Sequence, residues 1–161
     1  MQPAAIDPKL IAPCGMNCAV CMGYLRPKNR CDGCNGEDRT KLKACSVCRI
    51  KNCAKLGDGA QYCFACEQFP CARLKHLDKR YRTNYGMSMI DNLHAIEKKG
   101  IAAFVKGEAR RWQCPQCGAR LSVHRDTCLA CGARRPGFET GGPATPSSER
   151  RSSRQSSKGQ D

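Results

Sequence analysis

The sequence predicts a small metal-stabilised protein: a loop-rich, multi-cysteine N-terminal unit, a short helical segment, a C-terminal zinc ribbon of two short β-hairpins, and a disordered tail. Three observations carry this expectation. Leu, Ile, Val and Phe make up 23 of 161 residues, about 14%, under the ~20% that marks a highly charged chain as unable to fold on aliphatic burial alone. Cysteine makes up 15 of 161, about 9%, and much of it falls in spaced pairs. Helical periodicity is confined to one stretch near the middle. A single large oil-like core is therefore excluded, and metal held by sulfur is expected in its place.

Disulfides are the competing use of so much cysteine, and they belong to secreted chains. The opening MQPAAIDPKLIAPCG lacks the charged and then apolar regions of a secretory leader. Fifteen is odd, so complete internal pairing is impossible. No run approaches the ~18 apolar residues of a membrane span. A cytoplasmic chain with reduced, metal-binding thiols is the expectation.

Residues 1–71 form the first unit, a cysteine-rich multi-metal domain. Eleven cysteines lie between Cys14 and Cys71, with only eight Leu, Ile, Val or Phe residues among them. Cys31-Asp-Gly-Cys34 and Cys45-Ser-Val-Cys48 are ten residues apart and suit one four-thiolate site. Cys53, Cys63, Cys66 and Cys71 suit a second. Cys14, Cys18 and Cys21 are then left as three ligands without a fourth. Interleaved sites, in which early and late cysteines share a metal, are equally allowed. The spacing Cys14-x3-Cys18-x2-Cys21 equals that of radical S-adenosylmethionine enzymes, but no repeat of strands and helices follows to build their barrel. Zinc is expected here, with an iron–sulfur cluster as the alternative, since dense thiolate suits both.

Residues 72–112 are read as amphipathic basic helices. Leu74, Leu77, Tyr81 and Tyr85 fall on one helical stripe, and Gly86 breaks it. Ser88 with Asp91 three residues on resembles a capping box for a second helix, whose apolar face is Met89, Ile90, Leu93 and Ile96. Lys98-Lys99-Gly100 is a stop signal, and a third helix over 101–111 follows, with Phe104, Val105 and Trp112 on one side. These stripes read as packing surfaces.

Residues 113–135 form the ribbon. Cys114-Pro-Gln-Cys117-Gly118 and Cys128-Leu-Ala-Cys131-Gly132 are ten residues apart, and each glycine stands where a knuckle turn needs positive φ. Four thiolates at about 2.3 Å from one ion make a closed, structural tetrahedral site. His76 is a candidate additional ligand, whereas His94 and His124 read as surface or packing residues. From 136 to 161 the chain is Gly-, Pro- and Ser-rich with no Leu, Ile, Val or Met, and disorder is expected.

The net charge is +14 and is concentrated in residues 72–135, where fourteen Lys and Arg face five Asp and Glu. An excess of that size favours an acidic partner, such as a phosphate backbone. One Trp and 6% aromatic residues leave few platforms for base stacking. No nucleophilic triad, paired-carboxylate site or phosphate loop is visible. The leading expectation is a non-enzymatic binding or scaffold module for a protein or nucleic-acid partner, with structural zinc, no membrane association and an undefined oligomeric state. The alternative is an iron–sulfur or open-site zinc protein with a redox or catalytic centre at Cys14, Cys18 and Cys21.

Four cysteine motifs carry a family resemblance: Ala12-Pro-Cys-Gly-Met-Asn-Cys-Ala-Val-Cys21, Cys31-Asp-Gly-Cys34, Cys48-Arg-Ile-Lys-Asn-Cys53 and Tyr62-Cys-Phe-Ala-Cys66-Glu-Gln-Phe-Pro-Cys71. Together they resemble the prokaryotic cysteine-rich family termed domain of unknown function 3795. The basic stretch 79–88 and the ribbon resemble members with a C-terminal ribbon. The resemblance implies a cytosolic zinc-binding protein and assigns no activity.

Overall fold

A computed structural model describes residues 1–56 and 59–138 of the chain. Residues 139–161, most of the expected disordered tail, lie outside the described residues. The N-terminal 71 residues form only single turns of helix: α1 (Met22–Leu25), α2 (Lys43–Ser46), and 3-10 turns at Pro8–Leu10, Cys18–Val20, Asp38–Thr40, Ala54–Leu56 and Cys63–Ala65. Three longer helices follow, α3 (Ala72–Tyr85), α4 (Met89–Lys99) and α5 (Ile101–Arg111). None is long and apolar enough to cross a membrane.

The helix ends obey their local signals. Gly86 closes α3 in the left-handed region, and Gly100 stands between α4 and α5. The Ser88 hydroxyl accepts the Asp91 N–H (3.0 Å), which caps α4. The reciprocal half of the capping box is absent because Asp91 instead accepts from Arg82 (3.0 Å). Leu74 is fully buried on the α3 stripe, while Leu77, Tyr81 and Tyr85 are half-buried.

The expected β-hairpins need correction. No strand forms among the described residues; each knuckle is closed by a single antiparallel bridge, Gln113 with Arg120 and Thr127 with Arg134. The reason is visible just past the first knuckle. The Val123 N–H donates to the Val20 carbonyl (2.8 Å), and the Ser122 hydroxyl reaches the same oxygen (3.2 Å). Backbone groups that would extend a hairpin are used to fasten the ribbon to the N-terminal unit.

The buried side chains of the described residues form a small core rather than a large aliphatic one. One cluster of buried side chains runs through all three segments, from Ile11 and Val20 through Leu74, Met89 and Leu93 to Leu121 and Val123. It is small, and its filling is unusual. Cys14, Cys18, Cys114 and Cys128 belong to it, as do Met16, Met87 and Met89. Soft, adaptable sulfur side chains take positions that Leu and Ile fill in other proteins.

A buried carboxylate fixes α3 to α4. Asp78 Oδ1 accepts from the Ser88 hydroxyl (2.7 Å) and the Ile90 N–H (3.0 Å), and Oδ2 accepts from Arg82 Nε (2.6 Å). Burial alone would raise this carboxyl; the Ile90 amide, Ser88 and Arg82 outweigh it and hold it below the ordinary range. A depressed folded-state value means the contribution is complete above about pH 4 and is lost as pH falls through the folded value. Asp78→Ala should therefore cost about 1–3 kcal/mol at neutral pH, read from urea midpoints, and should flatten the acid limb of the stability curve.

Candidate metal centre

The ribbon's four sulfurs converge. The Sγ atoms of Cys114, Cys117, Cys128 and Cys131 all lie within 4.8 Å of one another. Cys114 to Cys131 and Cys117 to Cys128 are each 3.7 Å apart. Thiolates bound at about 2.3 Å to one tetrahedral ion would stand about 3.8 Å apart. The residues present fit a single ion.

Local chain geometry produces this convergence twice. The Cys114 N–H donates to the Ala119 carbonyl (2.8 Å) and the Gly118 N–H to the Cys114 carbonyl (2.9 Å). Fourteen residues later, Cys128 pairs with Ala133 (2.8 Å) and Gly132 with Cys128 (3.0 Å). Gly118 and Gly132 have φ of 75° and 73°. A flanking pair repeats as well: the Leu121 N–H meets the Trp112 carbonyl, and the Arg135 N–H meets that of Asp126. The Cys117 and Gln116 amides point at the Cys114 sulfur and lower its thiol to about 7. Both knuckles bury their first cysteine and leave the second more open.

The ribbon is anchored by polar groups that the sequence reading passed over. Glu108 is buried in α5, and its Oε2 accepts from Trp112 Nε1 (2.8 Å) and Asn17 Nδ2 (3.0 Å). Arg111 donates to Oε1 (3.3 Å). His124 Nδ1 accepts the Met22 N–H (3.3 Å), so its Nε2 carries the proton that faces the Tyr81 hydroxyl at 3.1 Å. Burial, with Arg125 and Arg135 nearby, lowers the imidazole value and keeps it neutral. Arg135 lies 4.9 Å from the Trp112 ring and 4.1 Å from that of Phe138, and it donates to the Tyr85 carbonyl (2.8 Å). The one available signal was position: Asn92 and Glu108 are polar residues on otherwise apolar helical stripes.

All fifteen cysteines are unpaired thiols. Among the described residues, no further group of three or more ligand side chains brings its atoms within 4.8 Å, so the eleven N-terminal cysteines do not converge as the ribbon's do. They are interleaved. The Cys34 N–H donates to Cys18 Sγ (3.2 Å), and a methyl at Gly23 would touch both Cys21 and Cys31. Cys31 and Cys34 thus lie beside the earlier cysteines. Burial, then the neighbouring thiols of Cys34, Cys18 and Cys63, pushes Cys14 far up, although the Met16 amide favours its thiolate. Burial likewise pushes Cys18 to about 12. Cys53, Cys63, Cys66 and Cys71 line one cavity of about 260 Å³ beside the start of α3. Cys45 and His76 are exposed.

The loop carrying Cys14 and Cys18 is held from two helices. Asn92 Nδ2 on α4 donates to the Gly15 carbonyl (2.9 Å). Asn17 is fully buried; its Oδ1 accepts the Ala19 N–H (3.1 Å), capping the Cys18–Val20 turn, while its amide reaches Glu108.

Residues 10–76 match the family described as Protein of unknown function (DUF3795). That span contains all eleven N-terminal cysteines and stops before the ribbon. No curated protein and no solved structure matches the chain.

Glu108→Ala should leave the Trp112 N–H and the Asn17 amide without their buried acceptor, costing about 2–4 kcal/mol for the two donors. Trp112 is the chain's only Trp, so its fluorescence should shift to the red at lower denaturant. An unchanged unfolding midpoint would contradict this account of the hub.

Proposed function

We propose that the chain is a metal-stapled binding module whose ribbon holds one structural zinc ion and whose basic surface meets an acidic protein or nucleic-acid partner in a reducing, cytoplasmic setting. The observation that carries the metal half is the 3.7 Å spacing of the two sulfur pairs. Zinc suits a closed four-thiolate tetrahedron, having no geometric preference of its own beyond what the protein supplies. With all four positions taken by protein, such an ion would order the ribbon and leave no open coordination position. A redox or catalytic centre at Cys14, Cys18 and Cys21 has less support. Cys14 and Cys18 are buried, and their loop is fastened to α4 and α5, whereas reactive thiols stand in open, electropositive surroundings.

The basic half is smaller than the residue count suggests. Arg82 and Arg111 are paired with Asp78, Asp91 and Glu108. Arg120 donates to the carbonyls of Ala109 and Ala4, and Arg135 is buried over Trp112. Arg73, Lys75, Lys79 and Arg80 remain exposed along α3, with Lys98, Lys99, Lys106 and Arg110 exposed on the following helices. Trp112 is 2% exposed and cannot stack on a base. Contact with nucleic acid would therefore run through phosphates and carry no sequence preference.

Two measurements test the two halves. Cys117→Ser should lose one zinc ion per chain by elemental analysis, and the Val123 amide should then exchange with solvent more rapidly. A variant that keeps the parent's zinc overturns the metal assignment. For the surface, affinity for a mixed-sequence oligonucleotide should fall steeply with salt. The pair Lys79→Ala with Arg80→Ala should reduce the slope of log K against log salt by about two. Binding that is absent at low salt would leave the protein-partner form of the proposal.

A further inference from the structure

We propose that Cys53, Cys63, Cys66 and Cys71 hold an iron–sulfur cluster in the cavity they line at the start of α3. The four come from separate places: Cys53 just before the Ala54–Leu56 turn, Cys63 and Cys66 on and after the Cys63–Ala65 turn, and Cys71 as the residue that opens α3. All four line the same space of about 260 Å³. Cluster ligation needs four such thiolates, whether the core is [2Fe–2S] or [4Fe–4S]. On insertion of an assembled core, each thiol loses its proton to solvent and forms one iron–sulfur bond.

The spacing separates this site from the ribbon. A lone zinc ion draws its sulfurs to about 3.8 Å from one another; two pairs of the ribbon's sulfurs stand at 3.7 Å and all four lie within 4.8 Å. In the cavity no three sulfurs fall within 4.8 Å of one another. The cavity they line, about 260 Å³, has room for a polynuclear core.

The surroundings suit the charge and the chemistry of a cluster. Four thiolates around an iron–sulfur core leave a net negative charge. Arg49, Lys55 and Arg73 line the cavity, and among the described residues none of its lining is acidic. Arg73 Nη1 also donates to the Arg49 carbonyl (3.4 Å), which ties together two sides of the opening. The first turn of α3 lines the cavity with no side-chain cap on it, which places the positive end of a 14-residue helix at its wall. Ile50 and Phe69 supply apolar wall.

The test uses the full chain purified without air. The expected protein is brown, with iron and acid-labile sulfide in equal amounts, in addition to the ribbon's zinc. Cys66→Ser and Cys71→Ser should each lose more than half of the iron and sulfide while retaining zinc and helical circular dichroism. Cys117→Ser should lose zinc and stay brown. A second measurement needs no variant: alkylation of the parent should spare Cys53, Cys63, Cys66 and Cys71 until iron is chelated, and then modify them. Parent protein containing zinc but no sulfide overturns the proposal. So does iron retained in both serine variants, or a protected set that omits these four. The outcome is separate from that for the ribbon, whose zinc can be present or absent in either case.

Discussion

The carboxylate of Glu108 joins three parts of the chain that meet in one small core. Through Asn17 it reaches the loop of the first cysteines, through Trp112 the entrance to the ribbon, and through Arg111 the end of its own helix. A buried carboxylate is costly unless its oxygens are occupied, and here both are. Asp78 between α3 and α4 and Asn92 between α4 and Gly15 follow the same pattern. A chain with few aliphatic residues thus specifies its tertiary arrangement through directional contacts, whose geometry tolerates little error.

Much of the helical frame was legible because its signals are local. Gly86, Ser88 and Gly100 mark ends that need only their neighbours in sequence. The same holds for the ribbon, where two Cys-x-x-Cys-Gly turns each set their own hydrogen bonds and need only be brought face to face. The hairpins were not legible as absent, because what replaces them, Val20, lies a hundred residues away. Nor was the grouping of the early cysteines. Cys34 lies against Cys18, and the Cys31 N–H meets the Gly23 carbonyl, so chain threading overrides the spacing within each pair. The roles of the fastening polar residues Asp78, Asn92 and Glu108 depend on the groups opposite them, which lie far away in sequence or across a turn.

Charge counting misled in the same way. Summed over 72–135 the excess is large, yet Arg82, Arg111, Arg120 and Arg135 act inward, on carboxylates, carbonyls and rings. Burial, with Arg111 nearby, lowers the Arg135 value to about 10. The basic residues that stay exposed include Arg73, Lys75, Lys79 and Arg80 of α3 with Lys98, Lys99, Lys106 and Arg110 of α4 and α5. They share their helices with the core, so the basic face and the cysteine loops are held by one rigid frame.

Gly15 sits at the tightest point of that frame. Its φ is +86°, and a methyl group there would lie 2.5 Å from the Met89 carbonyl and 2.9 Å from Leu93 Cγ. The obstacle is main chain, which cannot swing aside. The glycine beside the first cysteine is thus a spacer that sets how near the thiol loop can approach α4. Descendants of this chain could enlarge position 15 only by shifting a whole helix at the same time.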